Sequence, residues 1–182
     1  MLKQLKLVAC AGAAALAACG DFGHDSFAQS PFTTTPVAEF NEPWAMAFLP
    51  DGRLLVTEKR GALKLYTFDG KQTGDVAGVP AVEYGGQGGL GDVVLHPDFA
   101  ANNFVYLSYA EPGERGQAGA AVARARLALN GAGGALEDLR VIWRQTPKVD
   151  GRGHYGHRIA FGDGFLYISS GERQKFTPAQ DM

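Results

Sequence analysis

WAMAFLPDGRLLVTEKRGALKLYTFDG, residues 44–70, consists of short apolar runs that are separated by turn signals. The Asp-Gly pairs at 51–52 and 69–70 favour the positive φ angles of tight hairpin turns. Runs of this length between such turns predict the order strand, turn, strand, turn, strand. The stretch therefore indicates consecutive strands joined by tight turns.

A similar unit recurs twice along the chain. Phe48–Gly52 precedes RLLVTE, Leu95–Phe99 lies before NFVYLSY, and Phe161–Gly164 precedes FLYISSGE. The spacing is about 47 and then about 65 residues, and repeats of roughly 40 to 50 residues with four short strands are typical of propeller blades. The sequence shows no sustained helical apolar stripe, which argues against a parallel α/β fold.

The predicted fold class is therefore all-β, a β-propeller. Residues 37–182 supply about two and a half to three blades by this count. A propeller closes on itself because an open blade edge leaves backbone groups unpaired and apolar faces exposed. We therefore expect residues 37–182 to be the N-terminal part of a longer propeller domain.

The first 36 residues have a different character. Lys3 and Lys6 precede an apolar run that ends at Ala18, too short to span a bilayer but typical of a secretory signal. Leu16-Ala17-Ala18-Cys19 resembles the bacterial lipobox, in which the cysteine is lipidated; the alternative is an ordinary cleavage site with a chance cysteine. We predict a signal peptide at 1–18, a Cys19-anchored tether at 19–36, and a location on the periplasmic side of a bacterial membrane, the outer membrane being favoured.

Charge and cysteine content exclude several functions. Removal of residues 1–18 takes away two lysines and no acid, so the net charge changes from -2 to -4, and nucleic acid is not an expected partner because phosphate binding needs a clustered basic face. Cys10 would leave with the signal and Cys19 would carry lipid. No thiol would then remain for a disulfide, a zinc site or a nucleophile.

The segment Gly85–Gly91 contains a G-x-G-x-x-G pattern at 86, 88 and 91. A dinucleotide-binding loop would open a helix, but Asp92–Leu95 has the pattern of a strand and Pro97 ends it. We expect the glycines to let the backbone approach something flat or large, with Gln87 supplying an amide; the alternative is a loop without a ligand. His96, in LHPDF, is expected to cap a turn.

GRGHYGHRIAF, residues 151–161, contains two histidines among glycines. A metal site on a helix is disfavoured by those glycines. If Gly162-Asp163-Gly164 formed a three-residue turn, opposed residues would have numbers that sum to 326, and His154 would face Glu172 at a distance that lets a carboxylate hold an imidazole. A two-residue turn would instead place Gly171 or Arg173 opposite. A carboxylate-oriented histidine is a recurring general base.

Four motifs together carry a resemblance to a known family. PWAMAFLPDGRLLVTEKRGALKLY, GGQGGLGDVVLHPDF, GHYGHRIAF and LYISSGER, in that order, closely resemble the soluble pyrroloquinoline-quinone (PQQ)-dependent aldose sugar dehydrogenases of the glucose/sorbosone dehydrogenase family. The resemblance runs from about Glu39 to the last residue. It implies a six-bladed β-propeller that binds PQQ near its axis with the help of calcium.

The resemblance also implies roles for individual residues. His154 corresponds to the general base that takes the proton of the sugar C1 hydroxyl while hydride passes to the quinone, and to a cofactor contact. Glu172 corresponds to the acid that holds this histidine, Gln87 to a glutamine that contacts PQQ, and Arg158 to an arginine whose role we interpret as structural. His157 departs from the family motif, which has a small residue there. The remaining PQQ contacts and the calcium ligands are expected beyond residue 182, with none within this stretch.

The leading hypothesis is a lipid-anchored PQQ-dependent oxidoreductase that oxidises aldose sugars to lactones and passes electrons to an acceptor that the sequence does not identify. The isolated fragment is expected to be inactive. One alternative is a non-catalytic propeller lipoprotein that binds a partner or a glycan, since a fold does not dictate a function. Another is a propeller lactonase with a central metal, but this stretch shows no set of acidic ligands for it.

Overall fold

The computed structural model describes residues 32–180 of the 182, and residues 36–180 belong to one unit. The predicted signal peptide, Cys19 and most of the predicted tether lie outside the described residues. Within the described part, the helices are too short to span a lipid bilayer.

The first blade is a four-stranded antiparallel meander. A turn at Asp51-Gly52 separates the first two strands, as the sequence indicated, and a turn at Gly61 separates the second strand from the third. Its strands are β1 (Pro43–Phe48), β2 (Leu54–Glu58), β3 (Ala62–Tyr66) and β4 (Gln72–Ala77).

The second blade repeats this meander with longer outer strands. A short helix, α1 (Phe99–Asn102), interrupts the first turn. His96 Nδ1 accepts the N–H of Asp98 at 3.0 Å there, which confirms that His96 caps this turn. The strands of this blade are β5 (Leu90–Leu95), β6 (Phe104–Pro112), β7 (Ala118–Asn130) and β8 (Gly133–Arg144).

The third blade is represented by one hairpin, β9 (Gly156–Gly162) and β10 (Phe165–Ser170). The strands that begin the blades contact one another in the order β1, β5, β9, as innermost strands of a propeller do. At the periphery, β4 pairs with β8 in parallel and joins two blades into an eight-stranded sheet. The predicted fold class, a β-propeller with about two and a half to three blades in this stretch, is confirmed, with two four-stranded blades and one hairpin among the described residues.

The core lies between the blades because each strand has two buried faces. On β6, Val105 and Leu107 point toward the first blade and pack with Leu55 and Leu65. Tyr106, between them in sequence, points the other way and packs with Ile159 of the third blade. This period-two alternation lets one strand serve two interfaces.

The innermost strands are also tied together by a buried hydroxyl. Thr57 is fully buried; its Oγ1 donates to the Gly91 carbonyl at 2.7 Å and accepts the Ala45 N–H at 2.9 Å. One side chain thereby connects β1, β2 and β5. Because a buried backbone group without a partner is costly, this bond fixes the approach of the first two blades.

Replacing this threonine tests the connection. Thr57→Val keeps the shape of the side chain but removes its oxygen, so we expect the free energy of unfolding to fall by about 1–3 kcal/mol. Denaturant titration of the full-length protein measures the change. Thr34→Val, at an exposed threonine, is the control and should change stability little. Equal stabilities of Thr57→Val and the wild type would contradict the connecting role.

Candidate active site

The candidate site is built from three segments at one end of the blades. The glycine loop Gly85–Gly89 precedes β5, the segment Gly151–Tyr155 precedes β9, and Gly171–Arg173 follows β10. Because β5 and β9 begin at this end and β10, antiparallel to β9, finishes there, the three segments converge. The topology therefore gathers residues that are far apart in sequence.

His154 and Glu172 form the central contact of this end. His154 Nδ1 lies 2.6 Å from Glu172 Oε1 and 2.9 Å from Oε2. Since an ionised carboxylate only accepts hydrogen bonds, Nδ1 carries the proton and donates it to Glu172. This hydrogen bond holds the pKa of Glu172 below its ordinary value. The half-exposed imidazole then presents Nε2 as the nitrogen that can accept a proton.

His154 and Glu172 are in contact, as the sequence indicated, but the hairpin that brings them together has a different turn and register. The turn has two residues, Asp163 and Gly164, so Gly162 pairs with Phe165 and the predicted three-residue turn is wrong. Both turn residues have positive φ, 49° and 80°, as this hairpin type requires. A register shift between Ile168 and Ser170 then restores the pairing whose numbers sum to 326.

Gln87 holds the His154 segment from the side of the second blade. Its side-chain Oε1 accepts the backbone N–H of His154 at 2.7 Å, and the backbone N–H of Gln87 donates to the Arg152 carbonyl at 2.7 Å. Gln87 is exposed, and its side-chain nitrogen Nε2 is a further hydrogen-bond donor. Gln87 and His154 therefore lie side by side at the same surface.

The sequence predicted that the glycines around Gln87 let the backbone approach something flat or large; in the structure they let it approach other loop backbone. A Cβ on Gly86 would lie 2.5 Å from the Arg152 carbonyl oxygen, and one on Gly88 would lie 2.6 Å from that of Glu83. A side chain on Gly153 would meet Gln174. These glycines let the loops pack against each other, and this close packing brings Gln87 to His154.

Arg158 has the structural role that the sequence analysis assigned to it. Its Nη1 lies 3.1 Å from Asp92 Oδ1, and Asp92 Oδ2 accepts the Ile159 N–H at 3.0 Å. Asp92 is buried on β5. The carboxylate thus anchors the third blade to the second, and Arg158 neutralises it from the more exposed side.

His157 is separated from His154 by its surroundings. It is 4% exposed, and neither ring nitrogen has a hydrogen-bond partner within residues 32–180. Tyr155 stacks on it at 5.3 Å and Trp44 packs edge-on at 5.6 Å between ring centroids. Burial lowers the pKa of His157 from 6.5 to about 4. The backbone of Gln87 opposes this shift in part, although it makes no hydrogen bond with the ring. His157 is a neutral packing residue.

One residue of this region had no role in the sequence analysis beyond a possible pairing position. Arg173 is 2% exposed and donates to the backbone carbonyls of Gly153, Gly151 and Ala118. Its partners carry no side-chain signature, so the sequence offered only an arginine directly after Glu172. Within the described part of the chain, no group of three His, Cys, Asp or Glu side chains comes together as a metal site would.

The fold and the paired His154 and Glu172 define a β-propeller protein with a candidate active site at one end of its blades. Residues 40–182 match the family described as Glucose / Sorbosone dehydrogenase. The Escherichia coli (strain K12) protein named aldose sugar dehydrogenase YliI is 41% identical over 146 residues, which are 79% of this chain and 39% of that protein. The chain belongs to the glucose/sorbosone dehydrogenase family.

Solved structures agree with this assignment. The apo form of the soluble aldose sugar dehydrogenase from Escherichia coli matches with a TM-score of 0.73 at 42% identity, over 78% of this chain and 41% of that one. The PQQ-bound form of the aldose sugar dehydrogenase from Streptomyces coelicolor matches with a TM-score of 0.70 at 30% identity, over 81% and 43%. The chain thus spans about two fifths of the length of these relatives.

The buried imidazole of His157 predicts a pH dependence of stability. The unfolded chain takes up a proton near pH 6.5, whereas native His157 does so only near pH 4. The unfolded state therefore binds more protons between these values, and the free energy of unfolding should fall by about 3 kcal/mol as the pH drops through this window. His157→Leu should remove this component, whereas the control His96→Gln should keep it.

Denaturant titrations of the full-length protein between pH 7.5 and 4 measure this component as the difference between wild type and variant. Parallel pH profiles for the wild type and His157→Leu would contradict the assignment of His157 as a neutral buried residue.

Proposed function

We propose that the protein containing this chain oxidises aldose sugars to lactones with PQQ as the cofactor and His154 as the general base. The observation that carries the proposal is the 2.6 Å contact between His154 Nδ1 and Glu172, which leaves Nε2 as the acceptor at an exposed surface. A carboxylate in this position fixes the tautomer and stabilises the imidazolium that forms. The named relatives, sugar dehydrogenases, support the substrate class.

The proposed reaction removes one proton and one hydride from the sugar. The C1 hydroxyl gives its proton to His154 Nε2, the C1–H bond breaks with its electron pair, and C1 becomes the lactone carbonyl. PQQ would supply the acceptor for that hydride, and a separate acceptor would later take the electrons. Glu172 remains ionised during the step and balances the charge on the imidazolium.

The residues present fit such a cofactor. A quinone with several oxygen atoms needs hydrogen-bond donors, and Gln87 has an amide nitrogen beside His154 at an exposed surface. In our proposal, Gln87 and His154 contact PQQ from this part of the chain. Calcium belongs to the proposal as well, with ligands outside residues 32–180, where the described side chains form no metal cluster.

The proposal includes the cellular location. We expect lipid attachment at Cys19 to hold the protein on the periplasmic side of a bacterial membrane, most simply the outer membrane. Support comes from the residue pattern of the N-terminus, in which Lys3 and Lys6 precede an apolar run that ends at Ala18, directly before Cys19. Metabolic labelling with a radioactive fatty acid, with Cys19→Ser as the control, tests the anchor.

The first test removes the base. His154→Gln in the full-length protein, reconstituted with PQQ and calcium, should lower kcat for aldoses by roughly 10²- to 10⁴-fold, because the proton of the C1 hydroxyl then has no acceptor. Dye reduction with a panel of aldoses measures turnover, and fluorescence titration with PQQ should show binding that largely survives. His96→Gln is the matched control and should retain wild-type turnover.

Normal turnover of His154→Gln would contradict the assignment of the base. A wild-type protein that reduces the dye with no aldose in the presence of PQQ and calcium would favour the alternative of a non-catalytic propeller.

A second test changes only the orientation of the base. In Glu172→Gln the amide can donate to Nδ1, which would move the ring proton to Nε2 and block proton transfer. We expect kcat to fall by about 10²-fold or more, with a small change in KM. Glu114→Gln is the control, since Glu114 is exposed and distant from Glu172 in the sequence. Equal kcat values for wild type and Glu172→Gln would show that the carboxylate does not orient the base.

A further inference from the structure

Arg173 is a buried cation whose partners are all uncharged. Its Nε donates to the Gly153 carbonyl at 2.8 Å, its Nη1 to Ala118 and its Nη2 to Gly151. No carboxylate pairs with it among the described residues. Burying an unpaired charge is costly, and burial lowers the pKa of the guanidinium from its ordinary value. Because this burial lowers the stability of the fold, we expect Arg173 to have a role other than packing.

The guanidinium also lies against an aromatic ring. Its central carbon is 3.6 Å from the ring centroid of Tyr155, a residue that is 1% exposed. His157 stacks on Tyr155 at an interplanar angle of 20°. Arg173, Tyr155 and His157 thus form a continuous stack that reaches Trp44 of the first blade, and a cation over an aromatic face is attractive.

These contacts surround His154 on both sides along the chain. Gly151 and Gly153, which precede His154, accept hydrogen bonds from Arg173 through their carbonyls. Tyr155, which follows His154, packs its ring against the guanidinium. The Arg173 N–H also donates to the His154 carbonyl at 3.3 Å. The backbone of His154 has φ 49°, a conformation that is uncommon for residues other than glycine and needs support from its surroundings.

We propose that Arg173 is a positioning residue for the general base. Its side chain clamps the Gly151–Tyr155 segment, so that His154 keeps the backbone conformation from which its imidazole reaches Glu172 and the substrate. Two consecutive residues thus act on different parts of His154, since Glu172 orients the imidazole ring and Arg173 holds the backbone that carries it. Arg173 itself touches neither substrate nor cofactor in this account, which rests on the proposed function.

The chemistry of arginine fits this role better than that of lysine. The planar guanidinium offers a fixed fork of donors and a flat face, so one side chain can bind three carbonyls and stack on Tyr155 at the same time. An ammonium group is a point charge that cannot reproduce this arrangement. Arg173→Lys therefore keeps the charge and removes the clamp geometry, and Arg173→Gln removes both.

The test compares Arg173→Lys and Arg173→Gln with wild type in the full-length protein. With PQQ and calcium, kcat for an aldose should fall by about 10²-fold in Arg173→Gln and less in Arg173→Lys, because small misplacements of a base are costly. KM should change by less than about threefold, since the substrate contacts remain. Arg140→Gln, at an exposed arginine on β8, is the control and should leave kcat unchanged.

A second readout does not depend on activity. Hydrogen–deuterium exchange of the PQQ-free protein should become at least about tenfold faster for residues 151–155 in both Arg173 variants, while β6 and β7 keep wild-type protection. Unchanged exchange in this segment, or a normal kcat in Arg173→Gln, overturns the clamp. If Arg173→Gln loses protection throughout, Arg173→Lys decides: faster exchange confined to 151–155 with reduced kcat supports the proposal, and normal kcat overturns it.

These outcomes separate the inference from the proposed function. A wild type that oxidises no aldose contradicts the proposed function, and with it a catalytic purpose for the clamp. An active wild type with equally active Arg173 variants contradicts the clamp alone.

Discussion

The hydrogen bond between His154 and Glu172 depends on the register of one hairpin. A two-residue turn at Asp163-Gly164 starts the pairing of β9 and β10 in a register that would set His154 opposite Arg173. The register shift between Ile168 and Ser170 moves the pairing by one residue. Because successive side chains of an extended strand point in opposite directions, such a shift changes which side chain reaches the imidazole. Glu172 is thereby turned toward His154 and Arg173 toward the interior.

Side chains of the second blade hold this hairpin in place. Asp92 on β5 binds the backbone of Ile159 and the guanidinium of Arg158, and Ser108 on β6 donates to the His157 carbonyl at 2.6 Å. These polar contacts fix the first residues of β9, 157–159, to the second blade. Buried hydrogen bonds of this kind are specific in direction, in contrast to the apolar contacts between the blades. The site thus rests on polar contacts set within an apolar interface.

Local sequence signals predicted much of this arrangement. Asp-Gly turns and short apolar runs located the strands of the first blade, and the repeat of these signals predicted further blades. His154 and Glu172 could be paired because both lie close to one turn. The turn length was missed because Gly162 was counted as part of the turn, although Asp163-Gly164 is itself a pair typical of two-residue hairpin turns. The register shift was missed because it lies between strand residues that carry no turn signal.

Long-range contacts were the part that the sequence could not supply. The glycine loop was expected to approach a ligand, yet Gly86 and Gln87 contact backbone atoms of Arg152 and His154, about 65 positions away in sequence. The burial of His157 was not predicted, because it depends on Trp44, which is more than 100 positions away in sequence, and on stacking with Tyr155. Arg173 binds carbonyl groups, which every residue has, so its partners could not be read from residue types.

The most direct measurement of the central claim is a structure of the full-length protein with PQQ and an aldose bound. The account predicts that His154 Nε2 lies about 2.6–3.2 Å from the sugar C1 hydroxyl oxygen, the range in which a base takes a proton, with Nδ1 still bonded to Glu172. A complex in which another group lies within that distance of the C1 hydroxyl, and His154 Nε2 does not, would contradict it.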